Sequence, residues 1–115
     1  MSLIYKVCNN SEWEKALEEG FYKGSEIDIK DGYIHFSTKE QLKETVDKHF
    51  KKQENLIIIT FNSTDLVENI KWEPARNGDL FPHYYGFIDI NLAHNIYSLE
   101  LGTDGIHKFP KNFFS

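Results

Sequence analysis

Residues 56–61 constrain the fold of this chain more than any other segment. They read Leu-Ile-Ile-Ile-Thr-Phe, a run in which apolar side chains occupy both alternating positions. β-Branched residues favour strands, and a strand that is apolar on both faces has to be covered on both faces. The rest of the chain must therefore supply a layer on each side of a sheet centred on this strand. The length of 115 residues predicts one domain, 1–115.

Two segments carry the signals of helices that would form such layers. Ser11 and Glu14 have the spacing of a capping box, and Gly20 would end that helix. Ser37 and Glu40 repeat the capping spacing at the start of a second helix. The predicted inward faces consist of Trp13, Ala16 and Leu17 in the first helix and Leu42, Val46, His49 and Phe50 in the second.

The remaining segments are short and favour strands or turns. Residues 3–8 and 33–36 carry β-favouring side chains, and residues 87–90 and 96–101 extend the strand pattern into the second half. Residues 21–30 show no period, so we expect an irregular loop over a cleft there. Helices in the first half and strands in the second define an α+β protein.

The charge balance and the cysteine count narrow the functional classes. Eighteen acidic and thirteen basic residues give a net charge of −5, which disfavours nucleic acid as a partner. No apolar run approaches the ~20 residues of a membrane span. Cys8 is the only cysteine and cannot form an internal disulfide, and the N-terminus lacks a secretory pattern. We therefore expect a cytoplasmic protein without a membrane segment.

One group of polar residues lies at residues 31–38, where the second predicted strand meets the second predicted helix. Alternation along the strand puts His35 on the opposite face from its two apolar neighbours. Ser37 and Thr38 open the helix, where free backbone N–H groups and the helix dipole favour an anion. The pattern predicts an anion pocket at these three residues. The alternative is a capped turn that binds nothing, with His35 bonded to the backbone.

A second polar group spans residues 72–86 and mixes acidic, basic and aromatic side chains with turn residues. Arg76 is the only arginine, and a guanidinium in a loop suits bidentate recognition of phosphate or carboxylate. The alternative for Arg76 is a surface ion pair. His83 can act as a general acid or base near neutral pH, although packing between Pro82 and Tyr84 explains it equally well.

No metal site is predicted. The five histidines, at positions 35, 49, 83, 94 and 107, lack the spacing with glutamate of a zinc protease. Cys8 has no second cysteine with which to share a metal, and its apolar strand predicts a buried thiol rather than a nucleophile.

At these two polar groups the chain resembles the bacterial and plant family named domain of unknown function 952, and the resemblance covers nearly the whole chain. It is carried by Ile4-Tyr5-Lys6-Val7, Trp13 with Ala16, residues 20–22, the segment DGYIHFST at 31–38 with Gln41-Leu42, Trp72-Glu73, and the segment FPHYYG at 81–86. The family is thought to share the fold of ADP-ribosyltransferases. The resemblance therefore implies two small, mostly antiparallel sheets, two main helices and a cleft between the sheets that holds NAD.

The resemblance also implies roles for individual residues. Lys6 occupies the position of a first-strand histidine that grips the nicotinamide-side ribose, and it would contact phosphate or ribose as a point charge. Residues 35–37 match the segment that lines the nicotinamide or phosphate site, and RNA 2′-phosphotransferases of this fold also have a histidine there. Glu73 or His83 would take the place of the glutamate that orients the reacting ribose.

Two function hypotheses follow. The first is a site for NAD, ADP-ribose or another phosphorylated ribose, whose enzyme form would transfer ADP-ribose or a ribose 2′-phosphate. Its ligand-binding candidates are Lys6, His35, Ser37, Thr38, Arg76 and Tyr85, and its catalytic candidates are Glu73, His83 and His35. NAD is the candidate substrate, and no other cofactor is indicated. The alternative is a non-catalytic interaction module that contacts a protein partner through residues 81–85 and the apolar tail, residues 109–114.

Overall fold

The computed structural model describes residues 2–114, which form three α-helices, short 3₁₀ turns and nine β-strands. The helices are α1 (Asn10–Glu19), α2 (Glu26–Asp31) and α3 (Lys39–His49). The strands are β1 (Leu3–Asn9), β2 (Phe21–Tyr22), β3 (Ile34–His35), β4 (Leu56–Asn62), β5 (Ile70–Pro74), β6 (Leu80–Tyr84), β7 (Ile88–Asp89), β8 (Ala93–Leu101) and β9 (His107–Lys108). The predicted α+β class is confirmed.

The strands pair in an antiparallel manner throughout the described chain and form three sheets. The largest sheet has the order β1-β4-β8-β9, the second has the order β3-β6-β5, and β2 pairs with β7 alone. A single bridge between Tyr5 and Ser37 joins the end of β3 to β1. The expectation of two sheets and two main helices is therefore corrected to three sheets and three helices.

Strand β4 is the centre of the largest sheet, as its sequence predicts. It pairs with β1 on one side and with β8 on the other, and residues 56–61 are each at most 6% exposed. Its two faces belong to two separate apolar clusters. Ile57, Ile59 and Phe61 lie in the first cluster, whereas Leu56 and Ile58 lie in the second. The prediction of a strand covered on both faces is confirmed.

The two clusters explain where the other elements pack. The first joins β4 to α1 through Trp13 and Ala16 and to the second sheet through Ile34 and Tyr84. The second joins β4 to α3 and to the C-terminal tail. Alternation along β1 places Lys6 on the face of the first cluster, between the buried side chains of Ile4 and Cys8, so its ammonium group points into a covered layer.

The capping boxes of α1 and α3 lie at other residues than predicted. Asn9 caps α1 with Glu12 in place of Ser11 with Glu14. Thr38 caps α3 with Gln41 in place of Ser37 with Glu40. Ser37 is unavailable because its backbone N–H and carbonyl are both hydrogen-bonded to Tyr5. Pairing between strands thus shifts the start of α3 by one residue.

The inward faces of the two helices are narrower than predicted. Leu17 and His49, predicted to face inward, are exposed.

The expected loop at residues 21–30 contains β2 and most of helix α2. Ser25 and Asp28 form its capping box and Gly32 its C-cap. The helix lacks an amphipathic pattern because Ile27 and Ile29 are exposed and its buried residue is Asp28. A helix that buries an aspartate and exposes its isoleucines gives no hydrophobic signal, which is why the period was absent from the sequence.

The apolar tail packs against the chain's own core. Phe109 and Phe113 contact the second cluster, and the ring of Phe113 meets those of Tyr5 and Tyr97 at centroid distances of 5.8 and 5.2 Å.

Cys8 is fully buried, as predicted, and burial raises the pKa of its thiol to about 12. No helix within residues 2–114 has the length and apolar character that crossing a membrane requires.

Candidate functional site

One face of the second sheet carries most of the candidate site. Alternation along β3 buries Ile34 and leaves His35 partly exposed, as predicted. Strand β6 pairs His83 directly with His35, and β5 brings Glu73 alongside. We call the polar surface formed by Tyr33, His35, Glu73, His83 and Tyr85 the His–Tyr face. The opposite face of this sheet packs into the first apolar cluster, so the core fixes the positions of these polar side chains.

Glu73 holds two other members of the His–Tyr face. Its Oε1 atom lies 2.8 Å from Nδ1 of His83 and accepts a hydrogen bond of 2.7 Å from the hydroxyl of Tyr85. The Tyr85 hydroxyl and His83 hold the pKa of Glu73 below its usual value, and the same hydrogen bond raises the pKa of Tyr85 to about 12. A carboxylate can only accept, so Nδ1 of His83 carries the hydrogen, and the imidazole itself is largely buried, at 5% exposed.

His35 is held in a similar way from the other side. Its Nδ1 atom lies 2.6 Å from Oδ1 of Asp28, and its Nε2 atom lies 3.1 Å from Oδ2 of Asp31. The backbone N–H of His35 also donates to Oδ1 of Asp28, over 3.1 Å. Both histidines of the face are therefore anchored through Nδ1 by a carboxylate, and both direct Nε2 away from that anchor.

Asp28 and Lys6 form a buried ion pair behind His35. The ammonium of Lys6 lies 2.6 Å from Oδ2 of Asp28, and both residues are at most 3% exposed. Burial opposes the charge of Asp28, but the hydrogen bond from His35 and the charge of Lys6 outweigh it and hold its pKa well below the usual range. Lys6, a predicted ligand contact, is thus paired with Asp28, which in turn contacts His35.

Tyr33 lies against both imidazoles. Its ring centroid is 4.6 Å from that of His35, 4.2 Å from that of His83 and 5.3 Å from that of Tyr85. The two imidazole centroids are 5.4 Å apart. Burial and the charge of Asp31 raise the pKa of the Tyr33 phenol. The aromatic contacts therefore set the spacing of the two histidines.

Arg76 lies in a second group of polar side chains, next to helix α3. Its Nη2 atom donates to the Thr45 hydroxyl over 2.7 Å, and Thr45 also hydrogen-bonds Ser37 at 2.9 Å. Nη1 is buried without a hydrogen bond and lies 3.6 Å from a carboxylate oxygen of Glu44. The guanidinium stacks over Phe81, with its carbon 4.8 Å from the ring centroid. We call Ser37, Thr45 and Arg76 the arginine cluster.

The arginine cluster and the His–Tyr face belong to one surface. Phe81 precedes His83 by two residues on β6, so alternation puts both on the same side of the sheet. Ser37 likewise follows His35 by two residues. Ser37 itself is 4% exposed, and Thr38 uses its hydroxyl to cap α3. The structure thus brings together His35, Glu73, His83, Tyr85 and Arg76, whereas Lys6 and Ser37 lie behind them.

Sequence reasoning missed three members of the site, namely Asp28, Tyr33 and Thr45. Asp28 was placed in an irregular loop, but its spacing from Ser25 is that of a capping box and was a usable signal. Tyr33 stands two residues before His35, so the same alternation that exposes His35 also points to Tyr33. Nothing in the sequence marks Thr45, since its partner Arg76 is 31 residues away.

Two surface cavities lie away from these residues. One, of about 480 Å³, is lined by residues of β8, β9 and the tail, and another, of about 260 Å³, lies beside Tyr5 and Phe113. Neither lining includes a member of the His–Tyr face. We place the candidate site at the polar face, because paired acid–base groups are concentrated there. Within residues 2–114, no group of His, Cys, Asp and Glu side chains is arranged to hold a metal ion.

Comparisons with known proteins identify the family. The family model described as "Protein of unknown function (DUF952)" matches residues 7–96, and the chain belongs to this family. Two solved structures of the protein CC0527 from Caulobacter crescentus are similar to it. The crystal structure is 37% identical, with a TM-score of 0.88, and the match covers 93% of this chain and 94% of that one. The solution NMR structure is 39% identical, with a TM-score of 0.81, over 92% and 91% of the two chains.

Both CC0527 structures come from a structural genomics programme. No curated protein matches this chain. The comparisons therefore establish the family and the fold, and they do not extend to the likeness to ADP-ribosyltransferases, which stays a prediction.

Proposed function

We propose that the surface formed by the His–Tyr face and the arginine cluster binds a nucleotide through its phosphorylated ribose. One observation carries the proposal: two histidines, each anchored at Nδ1 by a carboxylate, stand with their ring centroids 5.4 Å apart. Such a pair suits proton transfer to and from a ligand placed between the two Nε2 atoms, because one ring can accept a proton while the other donates one. A purely structural role does not require two such anchored rings.

The arginine cluster gives this surface a place for phosphate. Arg76 has a guanidinium whose plane is fixed by Phe81 and Thr45, and its Nη1 is buried without a hydrogen bond, so a phosphate contacts it only when Glu44 moves aside. Planar guanidinium groups bind phosphate through two parallel hydrogen bonds. Glu44, more than half exposed, is the weak partner that a phosphate would displace. This arrangement supports a ligand with its phosphate at Arg76 and its ribose at the two histidines.

The enzyme form of the proposal assigns NAD as substrate and transfer of ADP-ribose as the reaction. The C–N bond between nicotinamide and ribose breaks, nicotinamide leaves with the bonding electrons, and the acceptor attaches to the ribose carbon as one of the two histidines takes the acceptor's proton. The ribose carries positive charge in between, and a carboxylate close to it lowers the barrier. Glu73 is the candidate for this role because it is the carboxylate that contacts His83 and Tyr85. Transfer of a ribose 2′-phosphate would instead use the arginine cluster.

The alternative is a non-catalytic interaction module that contacts a partner through residues 81–85 and 109–114. Most apolar side chains of these segments are buried or pack against the chain's own core. Residues 81–84 form strand β6, with Phe81, His83 and Tyr84 at most 8% exposed. In the tail, Phe109 and Phe113 pack against the second cluster. Phe81, Tyr84, Phe109 and Phe113 are therefore largely withdrawn from a partner, whereas Tyr85 and Phe114 keep exposed area. We favour the nucleotide site because of its two anchored histidines.

Thermal denaturation with and without ligand tests the proposal. The ligands are NAD, ADP-ribose, ADP and a 2′-phosphorylated nucleotide. A ligand present at about 100 times its Kd raises the free energy of unfolding by ~2.7 kcal/mol, which is a shift of several degrees for a domain of this size. We expect at least one of them to give such a shift in the wild-type protein.

Three variants give the experiment its controls. His35→Ala and His83→Ala should abolish the ligand-induced shift while remaining folded. His94→Ala is the matched control, because His94 is an exposed histidine of strand β8 in another sheet, and it should keep the full shift. The proposal is wrong if none of the four ligands stabilises the wild-type protein, or if the shift survives in both site variants. NAD left intact after long incubation would exclude the enzyme form alone.

A further inference from the structure

The buried carboxylate of Asp28 makes more contacts than its position in helix α2 requires. Oδ2 accepts from the backbone N–H of Ser25 over 2.9 Å, which completes the capping box. The other oxygen, Oδ1, accepts from His35 twice, through the backbone N–H and through Nδ1. With the ammonium of Lys6 on Oδ2, four donors surround one fully buried carboxylate. The capping box accounts for one of the four.

The neighbouring backbone also approaches Asp28 closely. Gly24 has φ +99°, and a Cβ atom added there would lie 2.7 Å from Cβ of Asp28 and 3.2 Å from Ile34. Residue 24 therefore has to be a glycine for the loop before α2 to close over the carboxylate. The chain encloses Asp28 from the loop, from β1 and from β3, and this fixes the carboxylate relative to His35.

A purely structural role explains this arrangement poorly. Burying an ion pair such as Lys6–Asp28 costs desolvation energy, and apolar residues of similar size are often as stable or more stable. The pair is also adjacent to an imidazole that opens onto the candidate site. A buried pair of this kind fixes geometry, and the geometry it fixes here is that of His35.

We infer that Asp28, supported by Lys6, is a positioning residue that selects the protonated nitrogen of His35. Two carboxylates compete for this ring: Asp28 at Nδ1, fully buried and 2.6 Å away, and Asp31 at Nε2, 40% exposed and 3.1 Å away. The contact with Asp28 is the shorter one and is shielded from water. The neutral ring therefore carries its hydrogen on Nδ1. Nε2, which lies on the side of the exposed Asp31, then keeps its lone pair. This inference deepens the proposed function, on which its role in ligand binding rests.

Nitrogen-15 NMR of the imidazole tests the inference on the protein alone, without any ligand. The spectrum distinguishes a ring nitrogen that bears hydrogen from one that does not, and it is recorded at a pH where His35 is neutral. In the wild-type protein we expect hydrogen on Nδ1. In Asp28→Ala we expect it to move to Nε2, because Asp31 is then the carboxylate that still contacts the ring. Asp31→Asn is the matched control and should leave the hydrogen on Nδ1.

Asp28→Asn serves if the alanine variant does not fold, since the amide keeps the shape of the side chain. It offers one acceptor oxygen for four donors, so the fraction of His35 with hydrogen on Nδ1 should fall. Unchanged Nδ1 protonation in the folded Asp28 variants would overturn the inference, as would a wild-type ring with hydrogen on Nε2. The NMR test and the denaturation experiment have independent outcomes. Hydrogen on Nδ1 of His35 together with no nucleotide-induced shift would support the inference and contradict the proposed function.

Discussion

At the scale of single residues, three carboxylates of the site differ in what surrounds them. Asp28 is buried and accepts from four donors, Glu73 is about one-third exposed and contacts two, and Asp31 is an exposed helix-terminal residue that lies 3.1 Å from Nε2 of His35. Environment rather than residue type thus separates their roles. Asp28 lies behind the candidate site, whereas Glu73 and Asp31 lie at its exposed side.

The hydrogen bond between Tyr85 and Glu73 gives a prediction at this scale. Glu73→Gln removes the negative charge that holds the Tyr85 proton, so the pKa of Tyr85 should fall from about 12 towards the usual value near 10. Carbon-13 NMR titration of the tyrosine ring measures it. The exposed Glu68→Gln is the control and should leave Tyr85 unchanged. A pKa that stays near 12 in Glu73→Gln would show that another group causes the shift.

A second prediction concerns stability and pH at Asp28. Asp28→Asn leaves Lys6 buried without its partner and should lower the free energy of unfolding at pH 7 by about 3–5 kcal/mol. The folded pKa of Asp28 is lowered, so its contribution is complete above the unfolded pKa of about 4 and declines as the pH falls towards the folded value. The difference between wild type and variant should therefore narrow below about pH 4.

Urea unfolding at pH 7 and at a series of acid pH values measures that difference. Asp104→Asn is the control, because Asp104 is an exposed aspartate with a lowered pKa, held by the Ile106 backbone and by Lys108. It should change the free energy of unfolding far less. A difference for Asp28→Asn that stays constant from neutral to acid pH would contradict the account of its charge.

At the scale of secondary-structure elements, the sequence located α1, α3 and the central strand, including the end of α1 at Gly20, but it misplaced the N-caps of the two helices. The apolar run of β4 and the apolar faces of the two helices are local patterns, and local patterns can be predicted from one sequence. The caps depend on pairing across the fold: Ser37 is occupied by Tyr5, and Asn9 ends β1 beside Leu56. Helix α2 was missed because it buries a charged residue, which no hydrophobic pattern reveals.

The cap of α1 gives the prediction at this scale. The Asn9 side chain accepts from the backbone N–H of Ser11, and the Asn9 backbone N–H donates to the Glu12 carboxylate. Asn9→Ala should therefore lower the free energy of unfolding by about 1 kcal/mol. Ser11→Ala is the comparison variant, because Ser11 was the predicted cap; its exposed hydroxyl donates to Oδ1 of Asn9 over 2.8 Å, and its loss should change stability by less than about 0.5 kcal/mol. Denaturant unfolding of the two variants measures the difference. If Ser11→Ala lowered the free energy of unfolding as much as Asn9→Ala, or more, Ser11 would be the cap of α1.

At the scale of the whole molecule, two layers cover the central sheet, and the tail completes the second one. Phe113 contacts Tyr5, Tyr97 and Phe109, whereas Phe114 is 45% exposed. Phe113→Ala should therefore lower the free energy of unfolding by roughly 1.5–3 kcal/mol. Phe114→Ala is the control and should lower it clearly less, by thermal or urea unfolding. Similar losses of stability in the two variants would show that Phe113 is not the main contact between the tail and the core.

The site, like the fold, could be predicted from the sequence only in part. His35, Glu73, His83, Tyr85 and Arg76 were found because their chemistry is concentrated in two short segments. Their partners could not be assigned, because Asp28, Lys6 and Thr45 reach the site from three different elements. The burial of Lys6 depends on the packing of β1 against the second sheet, and a single sequence does not show that packing.

The central claim is that a nucleotide binds between the two anchored histidines. Its most direct test is a titration of the wild-type protein with ADP-ribose, followed by NMR of the histidine side chains. The account predicts that the ring signals of His35 and His83 move together and saturate, while the signals of the exposed His94 and of His107 in strand β9 stay in place. Signals of His35 and His83 that do not move at saturating ligand would contradict it.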